Sequence, residues 1–180
     1  MAVQRESDLA QWTARYREWL TRGQTLLEGG RFGEAFKMGY PYVDSTVIPW
    51  ADFRLRLDQT RLAVVTMAGF FVRDEQIPFA AGHPEGDATY RELPDDIEPD
   101  RVAIAHQHYE HNAALEDWNT VLPLDHLRSM VQEGVLRSLG PVFSVSGYCT
   151  DAAALVRESG QPIAARVRDE GCDAVLLVPV

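Results

Sequence analysis

The sequence predicts an α/β fold: a doubly wound, mostly parallel sheet of the flavodoxin or Rossmann kind, carrying an N-terminal helical arm. Short apolar runs at 62–69, 102–107, 142–147 and 174–180 are separated by helical or turn-rich stretches. Unbroken apolar runs of this length mark strands buried on both faces, and their alternation with helices marks a parallel sheet covered on both sides. Ahead of them, Leu9, Trp12, Tyr16, Trp19, Leu20, Leu26 and Leu27 recur mostly at spacings of three or four. That period belongs to an amphipathic helix.

The elements follow in order. The first helix is expected over 8–28, capped by Ser7 or Asp8 and ended by Gly29-Gly30. A short second helix is expected at 31–38, then an irregular, aromatic-rich strap over 41–60. Residues 1–60 thus read as arm and strap, and 61–180 as the α/β domain. The arm packs either on its own domain or on another subunit. The first strand (62–69) leads into a polar loop over 73–100, punctuated by Pro78, Gly82, Pro84, Gly86, Pro94 and Pro99. A loop of that length inside a compact domain is more often functional than filler. A strand at 102–107 follows, then a helix over 124–133 with Asp125 near its start and Gly134 at its close. After the strand at 142–147, Asp151 is placed to cap a helix running to about Glu170, kinked at Gly160 and Pro162 and closed by Gly171. The last strand is 174–180.

Composition narrows the function classes. A chain of 180 residues, 46% hydrophobic and 24% charged, has the makings of one globular domain with a real core. Its net charge of -10 supplies no basic stripe for phosphates, so nucleic acid is not an expected partner. No apolar run approaches the ~20 residues of a membrane helix. The start, Met1-Ala-Val-Gln-Arg-Glu-Ser-Asp8, has no signal-peptide hydrophobic region. Cys149 and Cys172 are the only cysteines, which fits a reducing, cytoplasmic location rather than a disulfide framework.

Ligands of doubly wound sheets bind outside the carboxyl ends of the strands. His106, the loop from Gly69 to Gly86, the Gly147-Tyr148-Cys149 turn and Val180 all fall at such ends. His106 and His108 are two apart in an expected strand and would share a face, with His111 folding back over them. Three imidazoles with an open position would resemble a catalytic zinc or iron site, with Glu110 or Asp117 adding an oxygen ligand or orienting a ring. The same imidazoles suit substrate or proton handling, or plain structural hydrogen bonding. Asp117, Asn119 and Asp125 read as caps or as partners of the histidines. Cys149 is the thiol on the ligand edge, and Cys172 lies on the opposite edge. Asp87, Tyr90 and Arg91 belong to the long loop and serve either as its solvated surface or as substrate contacts.

Several stretches, in one order, resemble the selenoprotein B family of the glycine, sarcosine, betaine and D-proline reductases. They are Val64-Val-Thr-Met-Ala-Gly69, Gly86-Asp-Ala-Thr-Tyr-Arg91-Glu-Leu-Pro94, His106-Gln-His-Tyr-Glu110, Asp117-Trp-Asn-Thr-Val-Leu-Pro-Leu-Asp125, the segment 134–140, and Asp173-Ala-Val-Leu-Leu-Val-Pro179. The resemblance spans roughly 60–180 and does not extend to the arm. It implies a reductive cleavage of a C–N bond in a small amino-acid-like substrate. Arg91 would clamp the carboxylate as a bidentate pair, with Asp87, Tyr90 and Asn119 beside it, and His106, His108 and Cys149 would serve the chemistry. It also implies a selenocysteine or cysteine nucleophile directly after the last strand, where this sequence stops at Val180. A frame stopped at a selenocysteine codon, a shortened sequence, or a shorter member with other chemistry would each account for that. Three functions are therefore expected in parallel: an oxidoreductase similar to the selenoprotein B subunit, a metal-dependent enzyme using His106, His108 and His111, or a non-catalytic subunit of a homo- or hetero-oligomer.

Overall fold

The computed structural model describes residues 2–43 and 51–180, so the middle of the expected strap, 44–50, lies outside the described residues. In chain order the elements are α1 (Ala2–Glu28), α2 (Phe32–Lys37), β1 (Arg61–Thr66), β2 (Phe70–Val72), β3 (Tyr90–Leu93) and β4 (Val102–Ile104). Then follow α3 (Asn112–Glu116), α4 (Leu124–Gln132), β5 (Ser138–Val145), α5 (Ala152–Leu155), α6 (Gln161–Asp169) and β6 (Ala174–Val178).

The main sheet has the order β3-β5-β1-β6, with β1 parallel to both β5 and β6 and with β3 antiparallel on the β5 edge. Side-chain alternation sends Val64 and Val142 to one face, where Leu124, Leu127 and Leu136 join Phe70, Val72 and Val102 in a core. Ala63, Val65, Phe143 and Val145 go to the other, where Ile163 and Val167 of α6 cover them. Helices thus close both faces, as the α/β pattern predicts.

Four elements depart from the sequence reading. Helix α1 starts at Ala2 rather than after a Ser7 or Asp8 cap. The strand expected at 102–107 ends at Ile104 and pairs antiparallel with β2 in a separate two-stranded ribbon. Its Val102 fills the same core as Phe70 and Val72, which an apolar run serves as well from a ribbon as from the main sheet. The long loop contains β3, whose Tyr-Arg-Glu-Leu sequence is too short and charged to stand out, and which an edge position tolerates. Strand β5 begins four residues before the expected 142: Gly140 and Pro141 sit at a register shift opposite Leu62–Val64, a bulge where proline needs no ladder partner. A Cβ at Gly140 would overlap Cys172 Sγ, so the bulge is also where that thiol packs.

At the C-terminal helix, the Asp151 carboxylate accepts the Ala154 N–H at 2.9 Å, the expected cap. The expected kink is a π-turn over Val156–Gly160 that joins α5 to α6. On the β6 edge, Val175 and Leu177 remain exposed.

The arm folds onto its own domain. Trp12, Tyr16 and Trp19 form a buried stripe with Leu27 and Ala35, extended by Phe36 and Tyr40. Each polar tip in the stripe is satisfied: Trp19 Nε1 donates to the Ala35 carbonyl at 2.8 Å, and Trp12 Nε1 donates to that of Pro41. The Tyr16 hydroxyl donates to the Glu85 carboxylate at 2.8 Å and lies 2.9 Å from Thr150 Oγ1. The Tyr40 hydroxyl donates to the Thr150 carbonyl at 2.8 Å. No described helix is long and apolar enough to cross a membrane.

Trp19 is completely buried, so truncating it leaves a large void at the junction of α1 and α2. Trp19→Ala is expected to lower the unfolding free energy by about 3–5 kcal/mol in urea titrations. A loss below about 1 kcal/mol would mean that the arm is merely appended.

Candidate functional site

Backbone hydrogen bonds gather the loops at the carboxyl ends of β1, β5 and β6. Gly69 N–H donates to the Val145 carbonyl at 3.0 Å, Ala105 N–H to that of Gly69 at 2.9 Å, and Met67 N–H to that of Val178 at 3.0 Å. His106 follows Ala105 and is carried directly onto this edge. Two glycines make room for it. Gly69 and Gly147 have φ of 70° and 72°, a region that side chains resist. A Cβ at Gly69 would stand 3.0 Å from His106 Cβ, and one at Gly147 would overlap the Met67 carbonyl and stand 2.5 Å from His106 Nε2. The imidazole fills the volume that two side chains would otherwise take.

His106 is 6% exposed, and its Nδ1 accepts the His108 backbone N–H at 3.0 Å. In neutral imidazole one nitrogen accepts and the other donates, so this bond assigns the proton to Nε2. Burial, reinforced by His108 and His111, pulls the His106 pKa down from 6.5 to about 4. At neutral pH the residue is an uncharged Nε2–H donor. Tyr109 packs edge-on against it with centroids 4.9 Å apart, and the Tyr109 hydroxyl donates to the Ala68 carbonyl at 3.2 Å.

The other histidines are not gathered around His106 as the sequence reading expects. The strand ends before them, and the His106 and His108 rings stand 5.9 Å apart at 74°. His108 is exposed and lies against the Tyr148 ring at 4.0 Å. His111 packs against the Tyr109 ring, with centroids 4.5 Å apart, and its buried Nε2 has no hydrogen-bond partner. Among the described residues no three of His, Cys, Asp or Glu are grouped to hold a metal ion.

Cys149 lies on this edge, where the turn bridges to Gly86. Burial pushes its thiol up to about 11, and the S–H is given to the Asp151 carbonyl at 3.4 Å. A protonated thiol is a poor nucleophile. Asp87 N–H donates to the Tyr148 carbonyl at 3.1 Å, which brings the long loop to the same turn. Burial alone would raise the Asp87 carboxyl, but hydrogen bonds from Thr89 and the Ala80 N–H outweigh it and hold the group below its usual range.

The other residues expected to contact substrate are held by bonds within the protein. Arg91 donates to the Ile77 and Tyr90 carbonyls at 2.8 Å, and its guanidinium lies 4.3 Å over the Phe79 ring. Tyr90 packs edge-on against Phe143 in the α6-side core. Asn119 donates to Asp117 and Asp125 at 2.9 Å and accepts the Asp125 N–H at 3.0 Å, a knot at the start of α4.

Two aromatic residues join the site, Tyr148 from a turn already expected at this edge and Phe32, which was not expected there. Tyr148 is held by its hydroxyl bond to the Pro84 carbonyl at 3.0 Å. Phe32, from the arm, meets both His108 and Tyr148. The Gly147-Tyr148 pair after a strand was a usable signal for the first, whereas Phe32 depends on how the arm folds back. Two grooves lie away from this edge. One of about 530 Å³ runs along the amino ends of the strands beside Arg61, Gly140 and Arg166, and one of about 300 Å³ lies beside the ribbon at Phe70, Arg73 and Trp118.

The profile of the glycine/sarcosine/betaine reductase selenoprotein B family matches residues 21–180. The chain belongs to that family. The match takes in α2 and the last eight residues of α1, ahead of the stretches over 60–180 that carry the resemblance. The D-proline reductase subunit gamma of Acetoanaerobium sticklandii is 30% identical over 139 residues, which cover 76% of this chain and 55% of the relative. The chain therefore spans about half the length of the curated relative it matches. No solved structure matches it.

The lowered His106 pKa has a definite consequence for stability. The unfolded chain takes up a proton on this residue below pH 6.5 and the folded chain only near pH 4, so the folded state loses stability as pH falls through that window. The loss attributable to His106 is expected to be roughly 2–4 kcal/mol. It is read as the difference between the wild-type and His106→Asn pH–stability curves, and parallel curves would contradict it.

Proposed function

We propose that the carboxyl edge around His106 binds a small amino-acid-like substrate for reductive cleavage of its C–N bond, the chain acting as one subunit of a reductase assembly. The observation that supports this best is the enforced neutrality and tautomer of His106. A fixed, uncharged Nε2–H is a hydrogen-bond donor rather than a proton shuttle, and it suits a substrate carboxylate at the strand edge. His108, exposed beside Tyr148, is the imidazole in reach of bulk water and of the departing amine.

In such a cleavage a selenolate or thiolate lone pair forms a bond to the substrate's α-carbon. The C–N electron pair leaves with the amine, which takes up a proton. The Met67–Val178 hydrogen bond sets the carboxyl end of β6 beside the loop from Met67 to Gly69, so a selenolate or thiolate delivered to that end by the assembly would meet a substrate held by His106. Cys149, protonated and bound to Asp151, supports the turn in this reading, and Arg91, Asp87 and Asn119 shape the loops around the edge. The two free thiols fit a reducing cytoplasm. The named relative is a subunit, which supports an assembly rather than a lone enzyme.

Calorimetric titration with glycine, sarcosine, betaine and D-proline tests the reading. At least one should bind saturably to wild type and lose measurable binding in His106→Ala, while circular dichroism confirms that the variant is folded. Heat of dilution alone for all of them would remove the proposal.

A further inference from the structure

Phe32 is the first residue of α2, and its ring reaches across to the site from the arm. It stands edge-on to His108 at 5.2 Å and 90°, and edge-on to Tyr148 at 5.8 Å and 78°. Those two rings come from different loops, one following β4 and one following β5, and they lie 4.0 Å apart. Phe32 therefore touches both sides of the seam where the loops meet. It does so from a rigid mount. Behind it, Ala35 is fully buried among the arm aromatics, and Trp19 Nε1 is bonded to the Ala35 carbonyl. The arm is in turn pinned to the same turn by Tyr16 and Tyr40, both at Thr150. Edge-to-face contacts of this kind fix ring positions as well as burying area.

We propose that Phe32 is a specificity-determining wall of the site, setting the size of the amine-bearing carboxylate that can lie against His108 and Tyr148. This rests on the reading of the edge as a substrate site and adds the arm to it. A fixed aromatic wall discriminates by bulk, because one methylene too many has to displace a ring that its mount holds in place. Shortening the wall opens the space without touching either imidazole.

The test compares glycine with D-proline, a small and a bulkier probe of one chemical class, by calorimetric titration of wild type, Phe32→Ala and Phe32→Leu. Phe32→Ala is expected to raise the affinity for D-proline relative to glycine by about tenfold, with Phe32→Leu between Phe32→Ala and wild type. A packing role alone would lower the thermal midpoint of Phe32→Ala and leave that ratio within twofold of wild type (a tolerance far narrower than the change expected for a wall), and this result overturns the proposal. Should Phe32→Ala fail to fold, the Phe32→Leu ratio decides by the same criterion. If neither glycine nor D-proline binds, the ratio is read with sarcosine and betaine by the same criterion; if none of the four binds, the substrate reading of the edge fails, and the role of Phe32 fails with it.

Discussion

Everything at the ligand edge depends on the volume that Gly69 and Gly147 leave for one imidazole. A side chain at either position would meet His106 or the backbone beside it. Because both glycines also adopt left-handed backbone, the loops after β1 and β5 can close on each other and still admit the ring. Closure buries His106, burial keeps it neutral, and the His108 N–H then leaves only Nε2 to carry the proton. The chemistry offered at the edge follows from this steric arrangement, not from a cluster of charges.

The arm belongs to the same construction. Its aromatic stripe has helical spacing, which any amphipathic helix shares, but its polar tips end on Glu85 and Thr150 rather than in solvent. Deep burial pushes the Tyr16 phenol well above its ordinary range, so it stays a donor across the working range of pH. The loop that carries Glu85 and the turn that carries Thr150 are also joined directly, Thr150 N–H to the Glu85 carbonyl at 2.8 Å. Arm, long loop and turn thus meet at one place, and the conformation of the edge depends on all of them.

Much of the fold was legible because hydrophobic runs and caps are local. The strands at 62–69 and 174–180, the Asp151 cap and the Gly134 and Gly171 stops follow from residues within a few positions of one another. What misled was non-local. The run at 102–107 has the composition of a central strand, yet pairing with β2 rather than β5 turns it into a ribbon and moves His108 off the expected face. The partners of Arg91 are likewise set by the fold, which places its guanidinium on the carbonyls of Ile77 and Tyr90 and over the ring of Phe79. Nothing near Phe32 in sequence points to its meeting with His108, which exists only once the helix pair has docked.

His106 as a neutral Nε2–H donor is the state on which the proposed site depends, and nitrogen-detected NMR of histidine-labelled protein reads it directly. The expected spectrum has a protonated Nε2 and an unprotonated Nδ1 for His106 at neutral pH, with a titration midpoint near 4. A proton on Nδ1, or a midpoint close to the ordinary 6.5, would contradict the geometry on which the proposed site is built.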